Sequence, residues 1–180
     1  MTTENKSKIR FLIWIFPAAA AAVIFCFSAQ PGDESAALSG RLAEIALRAA
    51  EWLGIGRDLG REEKIELLTV ILRKGAHITE YVILCISLLA AFFCSQRRKT
   101  GRPWIVLGIV FLYACSDEFH QLFVAGRSGK FTDVLIDCIG AAVLCILLAV
   151  RRRRRKRPAS GIRRGNSDGT AAGTGNAEKR

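Results

Sequence analysis

Apolar residues in this chain are gathered into blocks. Phe11–Phe27 runs seventeen residues without a charge, Tyr81–Cys94 fourteen, Trp104–Ser116 thirteen and Ile139–Val150 twelve. The last becomes seventeen if it starts at Val134 and takes in Asp137. A helix that crosses a bilayer needs about 17–25 residues. The first block has that length alone; the others reach it by accepting one to three ionisable residues near one end. The pattern predicts an all-α integral membrane protein with about four transmembrane helices, at about 11–27, 74–94, 104–120 and 132–150.

A different periodicity fills part of the segment between the first two blocks. Leu38, Leu42, Ile45, Ala49 and Trp52 fall on one helical face, with Arg41, Glu44, Arg48 and Glu51 opposite and Glu44–Arg48 spaced to pair. This predicts an amphipathic helix of about fifteen residues, with Ser35 near its N-cap and Gly54 as its stop. Such a helix can lie on the outer leaflet or cover the bundle, and the sequence leaves both open. A further helix is expected from about Arg61, with Ile65, Leu68 and Leu72 on one side, running into the second span.

Charge orients these segments. The formal net charge is +11, but residues 151–180 hold eleven basic and two acidic residues, so the excess belongs to the tail. Arg151–Arg157 is seven consecutive cations directly after an apolar block. A stop-transfer flank attracted to anionic inner-leaflet lipid explains that run more simply than nucleic acid, which is not an expected partner. Lys6, Lys8 and Arg10 precede the first block, and Arg97, Arg98, Lys99 and Arg102 separate the second from the third. The positive-inside bias then places both termini and loop 95–103 in the cytoplasm, with segment 28–73 and loop 120–130 outside. Residues 1–10 read as a cytoplasmic N-terminus, 11–150 as the membrane domain and 151–180 as a basic, disordered cytoplasmic tail. The first block is too long for a signal-peptide core and reads as an uncleaved anchor. The six cysteines lie in or beside apolar blocks without a CxxC pair, so they read as small buried side chains.

The ionisable residues of the spans collect at one depth. Arg73, Lys74, His77, Glu80 and Tyr81 stand at the outer end of the second span. Asp117, Glu118, His120 and Gln121 stand at the outer end of the third, Asp133 and Asp137 at that of the fourth, and Arg127 in the loop between. Arg73/His77/Glu80/Tyr81, Asp117/His120/Gln121 and Asp133/Asp137 each form a helical stripe able to face inward. A charge facing lipid at mid-depth costs about 2.5–3.5 kcal/mol, so three inward stripes predict a polar pocket open to the outside. An ion-pair staple is the plainer reading, and Lys74, Glu118 and Asp133 singly suit snorkelling to the interface. Arg73 and Arg127 suit a phosphate or carboxylate. His77, Glu80, Asp117 and His120 have the chemistry of general acid–base catalysis and of divalent-metal ligation, without an HExxH motif or a nearby cysteine ligand.

Three stretches resemble the VanZ-like membrane proteins: Arg73-Lys-Gly-Ala-His77-Ile-Thr-Glu80-Tyr81, then Asp117-Glu-Phe-His120-Gln121-Leu-Phe-Val-Ala-Gly126-Arg127 with Asp133-Val-Leu-Ile-Asp137, and Ser28-Ala-Gln-Pro31-Gly32. Ala125 departs from the proline usual before Gly-Arg in that family. The resemblance implies a bacterial, multi-pass protein of the cytoplasmic membrane, in a family associated with low-level resistance to the glycopeptide teicoplanin. The expected function is an outer-leaflet pocket that binds or modifies a cell-envelope component, such as an anionic or lipid-linked glycan. A membrane-embedded, metal-dependent hydrolase or transferase and a structural scaffold are the alternatives. A transporter fits poorly, because the inner halves of the spans are apolar.

Overall fold

Pro31 makes the first corner. Its φ of −52° and ψ of 145° and its missing N–H suit the start of a helix and not the interior of one. α1 (Ile15–Ser28) and α2 (Gly32–Trp52) therefore meet at a bend of 101°. α3 (Arg61–Ser95), α4 (Arg102–Gln121) and α5 (Phe131–Lys156) follow. The computed structural model describes residues 11–53, 60–95 and 102–156, and among these all regular structure is helical. The N-terminal ten residues, Gly54, most of loop 95–103 and the segment from 157 onward lie outside the described residues.

Length and composition mark α3 and α5 as able to cross a bilayer, with α1 and α2 as a third candidate only if taken as one bent unit. Of the four spans read from the sequence, α3 and α5 thus meet this test by themselves among the described residues. α1 has 14 residues, about 21 Å at 1.5 Å per residue, against a hydrocarbon core of about 30 Å. α4 has 20 residues but gives its last turn to Asp117, Glu118, His120 and Gln121. α3 is one unbroken helix of 35 residues, as expected from its start at Arg61, and Glu62 and Glu63 favour that start by opposing the positive end of the helix dipole. α5 continues through Lys156, so the basic run begins as helix and not as disordered tail.

The bundle is held along its length by close packing. Tyr81, Cys85, Val106, Val110, Ala141 and Cys145 are fully buried between helices. Gly140 lets α5 approach α3, because a Cβ there would collide with Val82; in a membrane such close approach replaces the hydrophobic effect as the source of packing energy. The Tyr113 hydroxyl donates to the Ala21 carbonyl at 2.6 Å, joining α4 to α1. At the end away from the acidic residues, Trp14 Nε1 donates to Ser95 Oγ at 3.0 Å. There too, the Arg152 guanidinium stands 4.5 Å from the Phe93 ring centroid. Cys85, Cys138 and Cys145 are buried thiols, while Cys26 and Cys94 are exposed.

α2 packs through a face the sequence pattern did not indicate. Its contact with α3 is made of small residues: Ser39 and Ala43 are buried with Leu47, and Ala36, Gly40, Ala46 and Ala50 are half-buried. The predicted apolar stripe faces away from the protein, with Leu38 and Leu42 50%, Ile45 65% and Trp52 86% exposed. The helix also starts earlier than expected: Ser35 lies in its first turn, its N–H bonded to the Pro31 carbonyl. Among the described residues Glu44 and Arg48 do not pair; Arg61 instead meets Glu51 at 3.3 Å, tying the start of α3 to the end of α2.

Candidate functional site

The end of α1, the middle of α3, the end of α4, loop 122–130 and the start of α5 come together at one end of the bundle. The loop is folded back tightly. Gly126 adopts φ +71°, a conformation that L side chains rarely take. The Gly32 N–H donates to the Ala125 carbonyl at 3.0 Å, and the backbones of Gly32 and Gly126 touch so closely that a Cβ on Gly32 would collide with the Gly126 carbonyl. Ala125 contributes only its carbonyl to this junction, which explains why the departure from proline leaves the turn intact. Gly129 in turn sits against the Glu118 carbonyl.

The turn delivers Arg127 to the C-terminus of α1. Arg127 Nε donates to the Gln30 carbonyl at 2.9 Å, Nη2 to the Phe27 carbonyl at 3.0 Å and Nη1 to Gln121 Oε1 at 3.5 Å. The last carbonyls of a helix lack intrahelical partners and carry the negative end of its dipole, so the guanidinium caps α1. All three partners are neutral. Burial lowers the pKa of Arg127, and the neighbouring Arg73 cation lowers it further.

Beneath the cap lies a buried hydrogen-bond cluster. The Ser28 hydroxyl donates to Asp117 Oδ2 at 2.7 Å. Gln121 Nε2 donates to Ser28 Oγ at 3.0 Å and to Asp117 Oδ2 at 3.1 Å. Glu118 Oε2 accepts the Lys130 N–H at 2.8 Å, and Lys74 Nζ meets Asp133 Oδ1 at 2.6 Å. Lys74–Asp133 is the one pair of the expected staple that forms between Lys74, Arg73 or Arg127 and Glu80, Asp117, Asp133 or Asp137 among the described residues.

These elements enclose a polar cavity of about 180 Å3 lined by Arg73, Lys74, His77, Glu118, Gln121 and Arg127, with Asp133 and Asp137 on the α5 side and Gly126 and Ser128 at the turn. Eight of the twelve residues singled out in the sequence therefore line one space. Glu80, Tyr81, Asp117 and His120 do not. Asp117 is buried behind the wall at 4% exposure, and the His120 ring stacks on Phe25 of α1 with centroids 4.6 Å apart. Polar atoms of this second set, and of His77 on the cavity wall, are left over: among the described residues His77 Nδ1, Glu80 Oε2, Tyr81 Oη, Asp117 Oδ1 and His120 Nε2 are buried without a geometrically formed hydrogen bond. His77 Nδ1 and Glu80 Oε2 stand 3.6 Å apart, just beyond bonding distance. Unpartnered buried polar atoms are costly, and these five lie in neighbouring residues of one layer. Among the described residues no group of three or more His, Cys, Asp or Glu side chains is arranged to hold a metal ion. The pairing of His77 and Glu80 with Asp117 and His120 as ligands is not assembled.

Sequence reasoning missed Ser28, Gln30 and Gly32 as members of this site. Ser28-Ala-Gln-Pro-Gly stood out only through its resemblance. Gln30 contributes a backbone carbonyl and Gly32 an N–H and a bare Cα, which leave no side-chain signature; Ser28 contributes its hydroxyl, which the sequence could have offered as a polar residue at the end of an apolar block.

A protein-family model described as VanZ/LLP1 matches residues 12–152. No curated protein and no solved structure matches the chain.

Proposed function

The chain belongs to the VanZ/LLP1 family, and on that premise we propose that its polar cavity binds the anionic group of a cell-envelope component at the outer face of the bacterial cytoplasmic membrane. The observation that carries this reading is the charge state of the cavity wall. Arg127 is held by three neutral acceptors, and Arg73 lines the same space with no ion pair among the described residues. Glu118, Asp133 and Asp137 line the same cavity, and Asp117, Glu118 and Glu80 act on Arg127 through space. Neither guanidinium, however, has a direct carboxylate partner among the described residues, and a phosphate or carboxylate bound between the two would supply one. The cavity has room for such a group and a few waters. The positive-inside bias of the flanking segments supports an outward-facing cavity with both termini in the cytoplasm. In this topology α1 and α4 also cross the bilayer, giving four spans. The cationic flank after α5 then meets anionic inner-leaflet lipid. A lipid-linked glycan or another anionic envelope lipid presents its charge at that depth, and shielding or altering it is a route to reduced susceptibility to teicoplanin.

The test is expression of the chain in a teicoplanin-susceptible bacterium beside His77→Ala and Asp117→Ala. Loss of protection in both variants, with undiminished protein in the membrane fraction, is the expected result; full protection by both would refute the reading. Labelling of Ser128→Cys in intact cells with a membrane-impermeant thiol reagent, relative to the parent chain, checks the orientation.

A second reading is catalysis. The unpartnered atoms of His77, Glu80, Asp117 and His120 are of the types that move protons in a hydrolase or transferase. Turnover of lipid-linked substrates by the purified protein, with elemental analysis and chelator sensitivity, separates this from binding alone. A structural scaffold would show as loss of stability without specific loss of function in the same alanine variants, and a transporter is disfavoured by the confinement of polar groups to one end.

A further inference from the structure

α2 has three faces. The small-residue face is against α3. The charged face carries Glu44 and Glu51 with Asp33, while Glu34, in the first turn next to the Pro31 corner, falls at the azimuth of Trp52 at the end of the stripe nearest the bundle. Beside them, and uncovered by any other described residue, runs the apolar stripe of Leu38, Leu42, Ile45 and Trp52. At 100° per residue, Arg41 and Arg48 fall at the rim where the stripe meets the charged face. Six charged residues in 21 prevent this helix from crossing a bilayer. Its exposed apolar residues need a covering that does not also bury the charges.

The corner at Pro31 supplies the orientation. α1 belongs to a run that is free of charge from Phe11 to Phe27, and spanning helices lie within about 40° of the membrane normal. With α1 near the normal, a bend of 101° lays α2 close to the bilayer plane. The bend is fixed by the junction of Gly32 with Ala125 and Gly126 and by the Arg127 cap on α1. α2 therefore leaves the bundle from the same end as the polar cavity.

We propose that α2 is an interfacial helix lying in the headgroup–acyl boundary of the bilayer, apolar stripe towards the acyl chains and charged face towards water. Arg41 and Arg48 extend along the rim to lipid phosphates, and Trp52 sits at the depth where indole rings gather in membranes. The occupant of the stripe is the lipid surface itself. A second copy of the chain would have to leave the adjacent acidic face unopposed, because Arg41 and Arg48 are the stripe's only basic neighbours on α2. One consequence is positional: the helix floats the mouth of the cavity at headgroup depth, where an amphiphile enters sideways and not from bulk water. The proposal does not depend on what the cavity binds.

The test is tryptophan fluorescence of the full chain in phosphatidylcholine–phosphatidylglycerol vesicles containing phospholipids brominated at shallow or deep acyl positions. Trp14→Phe with Trp104→Phe leaves Trp52 as the sole reporter. The expected result is a blue-shifted emission quenched most by shallow bromines and shielded from aqueous iodide, unchanged as protein is diluted into lipid. Strong iodide quenching would overturn the proposal by placing the stripe in water. Maximal quenching by deep bromines would overturn it by placing α2 across the bilayer, and protection that vanishes on dilution would assign the face to a second copy. Since Trp14 braces the far end of the bundle, Trp52→Phe in the otherwise native chain is the companion measurement. The signal it removes must show the same depth profile, and a removed signal quenched by iodide counts against the proposal.

Discussion

Ser28 and Asp117, 89 positions apart, share a 2.7 Å hydrogen bond in which the serine hydroxyl donates to a buried carboxylate. The bond joins the end of α1 to the last turn of α4, and Gln121 donates to both oxygens. It fixes the wall behind the cavity, and it gives the first prediction. Ser28→Ala removes a donor from a buried carboxylate, at a cost of about 1–3 kcal/mol. Thermal unfolding in detergent should show a lowered midpoint, and Ser28→Thr, which keeps the hydroxyl, should recover most of it.

The Gly32–Gly126 junction should be intolerant of any side chain. Gly32→Ala meets the Gly126 carbonyl directly, and Gly126→Ala forces an L residue into φ +71°, a strain of about 1 kcal/mol or more. Both should reduce accumulation in the membrane fraction. Gly40→Ala and Gly108→Ala, where an added Cβ meets nothing within 4 Å, should accumulate normally. Equal loss in all four would mean that the junction has no special role.

Arg127→Lys separates charge from geometry. A lysine keeps the cation but has no planar fork with which to serve the Phe27 and Gln30 carbonyls together. The expected outcome is a destabilised corner and, under the proposed function, a loss of protection against teicoplanin exceeding that of Arg73→Lys. A lysine variant equal to the parent in unfolding midpoint and protection would remove the capping role.

Lys74 and Asp133 are close, at 2.6 Å, but their side chains are 42% and 32% exposed. Such pairs contribute about 0–1 kcal/mol. A double-mutant cycle of Lys74→Ala and Asp133→Ala, read by thermal unfolding, should give a coupling within that range. A larger value would revive the view of the layer as an ion-pair staple.

What could be read from the sequence follows from local periodicity. Charge-free blocks and 3.6-residue stripes are properties of neighbouring residues. They located the amphipathic helix, the unbroken run from Arg61 and the grouping of Arg73, His77, Arg127 and Asp137 around one cavity. Tertiary structure alone decided which side of each stripe is the interior. Lipid tails are as apolar as a protein core, so a row such as Leu38, Leu42 and Ile45 cannot say whether it faces a neighbouring helix or the bilayer; here the alanines and serines face the protein. The same holds for the polar layer. Spacing put Asp117 and Glu118 at one height, but only the approach of the α1 end, with Ser28 bonded to Asp117 and the Phe27 and Gln30 carbonyls receiving Arg127, set one behind the cavity wall and the other in it.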